Sequence, residues 1–425
     1  LPLHARPRAH MDGAAPPAAR LLESACAGGK NTAEGWMEEV SPTSEKLTDK
    51  PSGLLALLNE LEKRGADDAE ITQRMNRYIS VHARQNGIPI HGLFELTPLC
   101  NLDCKMCYVH LNREALQKSG GKMLTADQWI HIMEQAINGG MLEAVLTGGE
   151  ALTHPDFDKI FLYLQNHGVQ VILKTNGRLL TKERVEFFSC HPPKEIQITL
   201  YGADEETYKK VTGHRCFQDV MEAIQRVKSA GLLLSISITP NHYMKDNIES
   251  LLNLVNSLET PYLINSELSP PRQETGRNND GMDLTLDEYM HLYKVLARLK
   301  NRQIKPHCEN REEWKQPESK PILGLPCGGG KDSFAVRWDG RMYPCTQLND
   351  GGLSLLEEPF QVAWNAVHEA VQKHTFPGEC LECERRPLCP PCVILHEKGG
   401  ESGRVNPAIC QRAERLLAEG LATIE

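Results

Sequence analysis

The spacing of apolar residues along this chain divides it into four stretches. Residues 1–53 show no periodic apolar face and are rich in Ala, Pro, Gly and charge, the composition of a linker or disordered tail. Ala9-His10-Met11 has the look of a cloning scar before a natural start, and Trp36 and Met37 are the tail's candidate anchors. Leu54 to Arg64 and Asp67 to Gln85 carry apolar residues at helical spacing on either side of Gly65, which predicts a small helical cap over 54–90. No strands that would build a winged-helix unit for a leader peptide occur before residue 91. From 91 to 300 short apolar runs alternate with helical stretches. Gly92 to Leu99, Leu142 to Thr147, Val169 to Lys174, Ile196 to Tyr201, Leu232 to Ile238 and Tyr262 to Leu268 read as strands. Thr125-x-x-Gln128 and Thr285-x-x-Glu288 are capping boxes at two helix starts. This alternation predicts an α/β fold with a parallel sheet, whose ligand sites lie at the C-terminal strand ends. Cys100, Gly148, Thr175, Thr199 and Gly202 all fall there. Arg272 to Asp283 reads as a linker before a helix at Leu284 to Leu299, and residues 301–425 form a cysteine-rich unit. In that unit Phe334 to Tyr343 predicts a hairpin turning at Asp339-Gly340.

Charge and composition exclude several classes. The chain has 47 Lys+Arg against 56 Asp+Glu, a net charge of -9, so it carries no general nucleic-acid footprint. No apolar run approaches the length of a membrane span and the start lacks a signal pattern, which makes a reducing, bacterial-type cytoplasm the simplest location. Of 14 cysteines, ten fall into spaced groups, leaving Cys26, Cys190, Cys216 and Cys308 scattered. A secreted disulfide framework does not suit so long a chain with that spacing.

The chemistry resides in those groups. Cys100-Asn-Leu-Asp-Cys104-Lys-Met-Cys107 sets three thiols at a spacing that suits one iron-sulfur cube. A [4Fe-4S] cluster normally takes four thiolates, and no fourth cysteine lies nearby, so one iron is left open. Zinc, the competing reading, usually closes its sites with paired C-x2-C or Cys/His ligands. Gly148-Gly149-Glu150 ends the next strand, where glycines let backbone approach a ligand, and leads into Pro155, a good first-turn residue for a helix.

With both motifs in this order, the chain resembles the radical S-adenosylmethionine (SAM) enzymes, whose defining motif is C-x3-C-x2-C. That resemblance implies a partial (β/α)6 TIM-like barrel over 91–300. It also implies that the open iron chelates the amino and carboxylate groups of SAM. Gly148, Gly149 and Glu150 would hold the amino group, Met106 would contact the adenine, and Thr175 and Asn176 would lie near the cofactor. Thr199-Leu-Tyr-Gly202 with Val211-Thr-Gly213 resembles a segment of peptide maturases in this family.

Farther on come Cys327, a Gly340-x4-Cys345 unit, the run Cys380, Cys383, Cys389, Cys392, and Cys410. This series resembles the SPASM extension of radical SAM enzymes, which carries two auxiliary [4Fe-4S] clusters. By that resemblance Cys380, Cys383, Cys389 and Cys410 ligate the outer cluster and Cys327, Cys345 and Cys392 the inner one, making three [4Fe-4S] clusters in all. The run reads C-x2-C-x5-C-x2-C where the usual pattern ends in a three-residue gap, and Pro390 and Pro391 stiffen the short gap. A zinc ribbon, the bland alternative, needs only four ligands.

The inner cluster then has three cysteines, with Cys308 as a rival fourth ligand. An open iron there suits a substrate thiolate. The resemblance therefore implies a maturase of the sactipeptide or ranthipeptide type, forming a sulfur-to-carbon thioether in a ribosomally made precursor peptide. Electrons would come from an external donor such as flavodoxin or ferredoxin. A sulfatase-maturase-like oxidase is the competing enzyme, but its pattern has an Asp where this chain has Thr346. Carbon-carbon crosslinking and epimerisation stay open. An iron-sulfur electron-transfer protein, the non-enzyme alternative, has no need of Gly148-Gly149-Glu150.

Overall fold

The computed structural model describes residues 58, 61, 63–65, 67–118, 120–278, 281–300, 327–374, 376–390, 392–397 and 405–423. The expected tail over 1–53, with Trp36 and Met37, lies outside these residues, as do Cys308 and Pro391. Two compact units result, one spanning Ala9–Asn86 and the other including Gly87–Glu425. In the smaller unit the described element is α1 (Asp68–Asn86), with Asp68 and Glu70 in its first turn and Arg84 in its last, each complementing the helix dipole.

The larger unit is built on a nine-stranded sheet of order β6-β5-β4-β3-β2-β1-β7-β8-β9. Strands β1 (His91–Glu95), β2 (Glu143–Thr147), β3 (Gln170–Thr175), β4 (Glu195–Leu200), β5 (Leu234–Ile238) and β6 (Tyr262–Ile264) are parallel neighbours in chain order. Helices α2 (Arg113–Lys118) and α3 (Ala126–Asn138) separate β1 from β2, and α4 (Phe157–Asn166) follows β2. Next come α5 (Lys182–Cys190) after β3, α6 (Glu205–Thr212) and α7 (Phe217–Ser229) after β4, α8 (Ile248–Ser257) after β5, and α9 (Leu286–Lys300) after β6.

The sheet does not stop at β6. Beyond residue 326, β7 (Ser333–Val336) adds parallel to β1, pairing Phe334 with Gly92, and turns through Asp339-Gly340 into antiparallel β8 (Arg341–Tyr343). Gly340 supplies the turn's left-handed residue at φ +80°. After β9 (Leu353–Ser354) the chain continues as α10 (Phe360–Val371), α11 (Gly378–Leu381), α12 (Val393–Glu397) and α13 (Pro407–Ala418). Phe94 and Phe334, from the adjoining strands β1 and β7, meet edge to face at 5.9 Å, and Phe334 meets Phe360 and Trp364 of α10 at 5.4 and 6.2 Å. The hairpin of the cysteine-rich third thus shares the barrel's core.

Both capping boxes form: Gln128 and Glu288 amides donate to the Thr125 and Thr285 hydroxyls at 3.3 Å, and the reciprocal carboxamide and carboxylate bonds are 3.0 Å. Pro155 departs from its expected place. It stands two residues ahead of α4, because Ala151–Thr153 instead forms a 3-10 turn capped by Glu150, and His154 before the proline is extended.

Along the strands, Ala144, Leu146, Val171, Leu173, Ile196, Ile198, Ile236 and Ile238 are buried. The alternate positions Thr147, Lys174, Gln197, Thr199, Ser237 and Thr239 line a cavity of about 560 Å³. The period-two alternation therefore separates an apolar face from a polar, cavity-lining face.

Candidate active site

The loop after β1 carries Cys100, Cys104 and Cys107, and all three line the cavity. Gly149 and Glu150 amides donate to the carbonyls of Thr97 and Leu99 at 2.7 and 2.9 Å, clamping the end of β2 onto this loop. A Cβ at Gly148 would stand 2.4 Å from the Thr97 carbonyl oxygen, and one at Gly149 2.3 Å from that of Leu99. Gly148 also holds φ at +142°. The close approach these glycines permit is to the cysteine loop itself, a refinement of the expectation that they make room for a ligand.

Glu150 is buried and accepts from three donors: the Leu152 amide at 3.2 Å, the Asn176 amide at 2.8 Å, and the Thr175 hydroxyl, shared between its two oxygens at 2.9 and 3.0 Å. The Asn176 side chain donates to Asn101 at 2.7 Å and reaches the Cys100 sulfur at 3.7 Å. Thr175, Asn176 and Glu150 thus form one network against the cysteine loop, and buried Met106 lines the same cavity.

Burial pushes the Glu150 carboxyl up to about 7, against the pull of its hydrogen bonds. The folded chain therefore holds more protons than the unfolded one between about 4.5 and 7, and stability falls as pH rises through that window. Glu150→Gln removes this dependence. The variant's stability relative to wild type should rise by about 2 kcal/mol between pH 5.5 and 8, read from urea midpoints of the metal-free chain.

The thiols are similarly perturbed. Burial, then the charge of Glu150, pushes Cys100 up to about 12, and burial raises Cys104 and Cys107. Such thiols stay protonated until a metal displaces the proton, as a thiolate-ligated cluster requires. Tyr201 hydrogen-bonds Cys104.

In the C-terminal third the cysteines fall into two electrostatic groups. Cys392 is pushed up to about 11 by burial, with Cys327 and Cys345 adding to the shift. Cys389 is pushed up to about 12 by burial, then by Cys410, Cys383 and Cys380. Cys392 also lines the cavity, with Pro390, Thr346 and Gln347. Among the described residues no three His, Cys, Asp or Glu side chains converge closely enough to hold a metal ion. What the chain offers is a set of soft donors, most of them partly buried, whose thiolate charge a cation would neutralise.

Three features of the site escape sequence reading. Arg277, in the stretch read as a linker, donates to the Cys104 carbonyl at 2.8 Å, reaches His110 Nδ1 at 2.9 Å and pairs with Asp103. Thr212 and Val211 accept from the Asp103 and Lys105 amides at 3.0 Å, so the Val211-Thr-Gly213 segment anchors the cysteine loop. Arg272 makes a buried bidentate pair with Glu95 at 2.6 and 2.7 Å, lies over the Tyr108 ring, and donates to the Thr346 carbonyl at 2.9 Å. That one guanidinium joins the end of β1, the cysteine loop and the residue after Cys345. Its only sequence signal is an arginine in a polar stretch.

Comparison with known proteins identifies the scaffold. The Radical SAM superfamily matches residues 94–255. The AdoMet-dependent heme synthase of Methanosarcina barkeri is 26% identical over 321 residues, 70% of this chain and 89% of that protein. The antilisterial bacteriocin subtilosin biosynthesis protein AlbA of Bacillus subtilis is 26% identical over 216 residues, 50% of this chain but only 47% of that protein. In fold, the chain matches Streptococcus suis SuiB bound to its precursor peptide SuiA with a TM-score of 0.58 at 15% identity, covering 83% of this chain and 87% of that one. No described helix is long and apolar enough to cross a membrane. The cysteine loop and the Gly148-Gly149-Glu150 strand end both lie within the stretch that matches the Radical SAM superfamily.

Proposed function

We propose that this protein is a radical SAM peptide maturase that joins a cysteine sulfur to a carbon within a ribosomally made peptide. One observation carries the reading: a single cavity is lined by Cys100, Cys104 and Cys107 and also by Cys392. Bound at the first three thiols, a [4Fe-4S] cluster with SAM supplies a 5'-deoxyadenosyl radical that removes hydrogen from an unactivated carbon. Glu150, held by Thr175 and Asn176, would offer its carboxylate oxygens to the cofactor's amino group, Gly148 and Gly149 seat that strand end, and Met106 would supply an apolar contact for the adenine. The cavity walls orient the substrate carbon and keep water out.

On this reading Cys327, Cys345 and Cys392 would hold an inner cluster, and Cys380, Cys383, Cys389 and Cys410 an outer one. A soft substrate thiolate suits a fourth ligand position beside Cys392. The SuiB fold and the bacteriocin biosynthesis relative support a peptide substrate, and Thr346 argues against a sulfatase-maturase-like oxidase.

The test is anaerobic incubation of the reduced protein with SAM, a flavodoxin or ferredoxin donor and a cysteine-containing precursor peptide. The expected product is two hydrogens lighter with one thiol no longer alkylatable. An unchanged thiol count would point to carbon-carbon chemistry, and turnover of a tetrapyrrole in place of any peptide would overturn the maturase reading.

A further inference from the structure

Lys174 is the one lysine or arginine among the described residues that line the cavity. It sits on β3 in register with Gln197 of β4, and both side chains face the cavity. Among the described residues it has no ion pair and no side-chain hydrogen bond. The charge of Glu195, which accepts the Ser235 hydroxyl, acts on it without an ion pair forming. Lys174 is half-buried at the cavity wall, and the partial loss of solvation lowers its basicity. Other cations around the site are committed: Arg272 to Glu95, and Arg277 to Asp103 and the Cys104 carbonyl. A cation partly withdrawn from water and held in no ion pair among the described residues is costly to keep, and part of that cost is recovered when an anion enters beside it.

We propose that Lys174 binds a carboxylate inside the cavity, fixing the register of the molecule that carries it. The inference rests on the reading of this cavity as the site for SAM and a peptide. An acidic side chain of the peptide, one or more residues from the modified carbon, is one source of that carboxylate, and SAM brings the other. In the first case Lys174 is a specificity-determining residue that selects Asp or Glu over Asn or Gln, since loss of the charge leaves the ammonium unpaired.

The experiment uses the full-length, cluster-reconstituted protein with Lys174→Met and Lys174→Arg. Equilibrium dialysis measures SAM and decarboxylated SAM, and calorimetry in the presence of SAM measures acetyl-Gly-Asp-Gly-amide against its Asn counterpart. For a peptide carboxylate, wild type prefers the Asp peptide by about fivefold or more. Lys174→Met loses that preference, Lys174→Arg retains it, and SAM affinity is unchanged. If Lys174→Met instead weakens SAM about tenfold and leaves decarboxylated SAM untouched, the carboxylate is that of the cofactor and Lys174 remains its binder. If neither affinity moves in a wild type and variants that all bind SAM, the proposal is overturned. If wild type binds no SAM, the functional reading fails and takes this inference with it. Lys174→Met should melt no lower than wild type, because it removes a cation with no ion pair among the described residues, which separates lost recognition from lost folding.

Discussion

Cys104→Ala is expected to abolish 5'-deoxyadenosine formation while roughly eight of about twelve irons stay bound. Cys104 is the most enclosed of the three loop thiols, and its carbonyl is held by Arg277, so the loop keeps its path when the sulfur is removed. On the proposed grouping the seven C-terminal cysteines would hold their own iron, apart from the loop's. Iron counting and Mössbauer spectroscopy after anaerobic reconstitution, with deoxyadenosine quantified by chromatography, read both parts. Turnover in a Cys104→Ala protein that retains its other iron would remove this loop from the chemistry. About four irons in wild type, or tightly held zinc at the C-terminal cysteines, would contradict the three-cluster reading.

Arg272→Met should destabilise the protein by about 3–5 kcal/mol, the cost of leaving a buried carboxylate unpaired. Glu95 is 1% exposed and Arg272 6%, and their two parallel hydrogen bonds give each group its counter-charge. Glu95→Gln with Arg272→Met should recover much of the loss, because neither partner then leaves a buried charge behind. Urea unfolding of the two single variants and the double closes the cycle. A single-variant loss below about 1 kcal/mol would mean that water reaches the pair. The double variant still lacks the donor to the Thr346 carbonyl, so it separates the stability of the pair from its hold on the segment after Cys345.

What the sequence determined by itself is what short separations encode. Short apolar runs located β1 to β6 to within a few residues at most ends, and the capping boxes at Thr125 and Thr285 and the Asp339-Gly340 turn formed as the local chemistry requires. The C-x3-C-x2-C spacing and the Gly148-Gly149-Glu150 strand end were legible because each is a contiguous run. Pro155 shows the limit even locally: a carboxylate cap from Glu150 on its own turn outweighed the proline's preference for a first helical turn.

The tertiary structure decided what joins distant parts of the chain. It brought β7 beside β1, Arg272 to Glu95 across 177 positions, and Arg277 to the carbonyl of Cys104 across 173. It set Gly148 and Gly149 against the cysteine loop, and turned Lys174 into the cavity with no ion-pair partner among the described residues. A helix cap or strand period depends on neighbours a few residues away, so the residue string carries it directly. A buried ion pair or a lone cation depends on which strand lies next to which, and that follows from packing the apolar face of the whole sheet, which no local window of sequence contains.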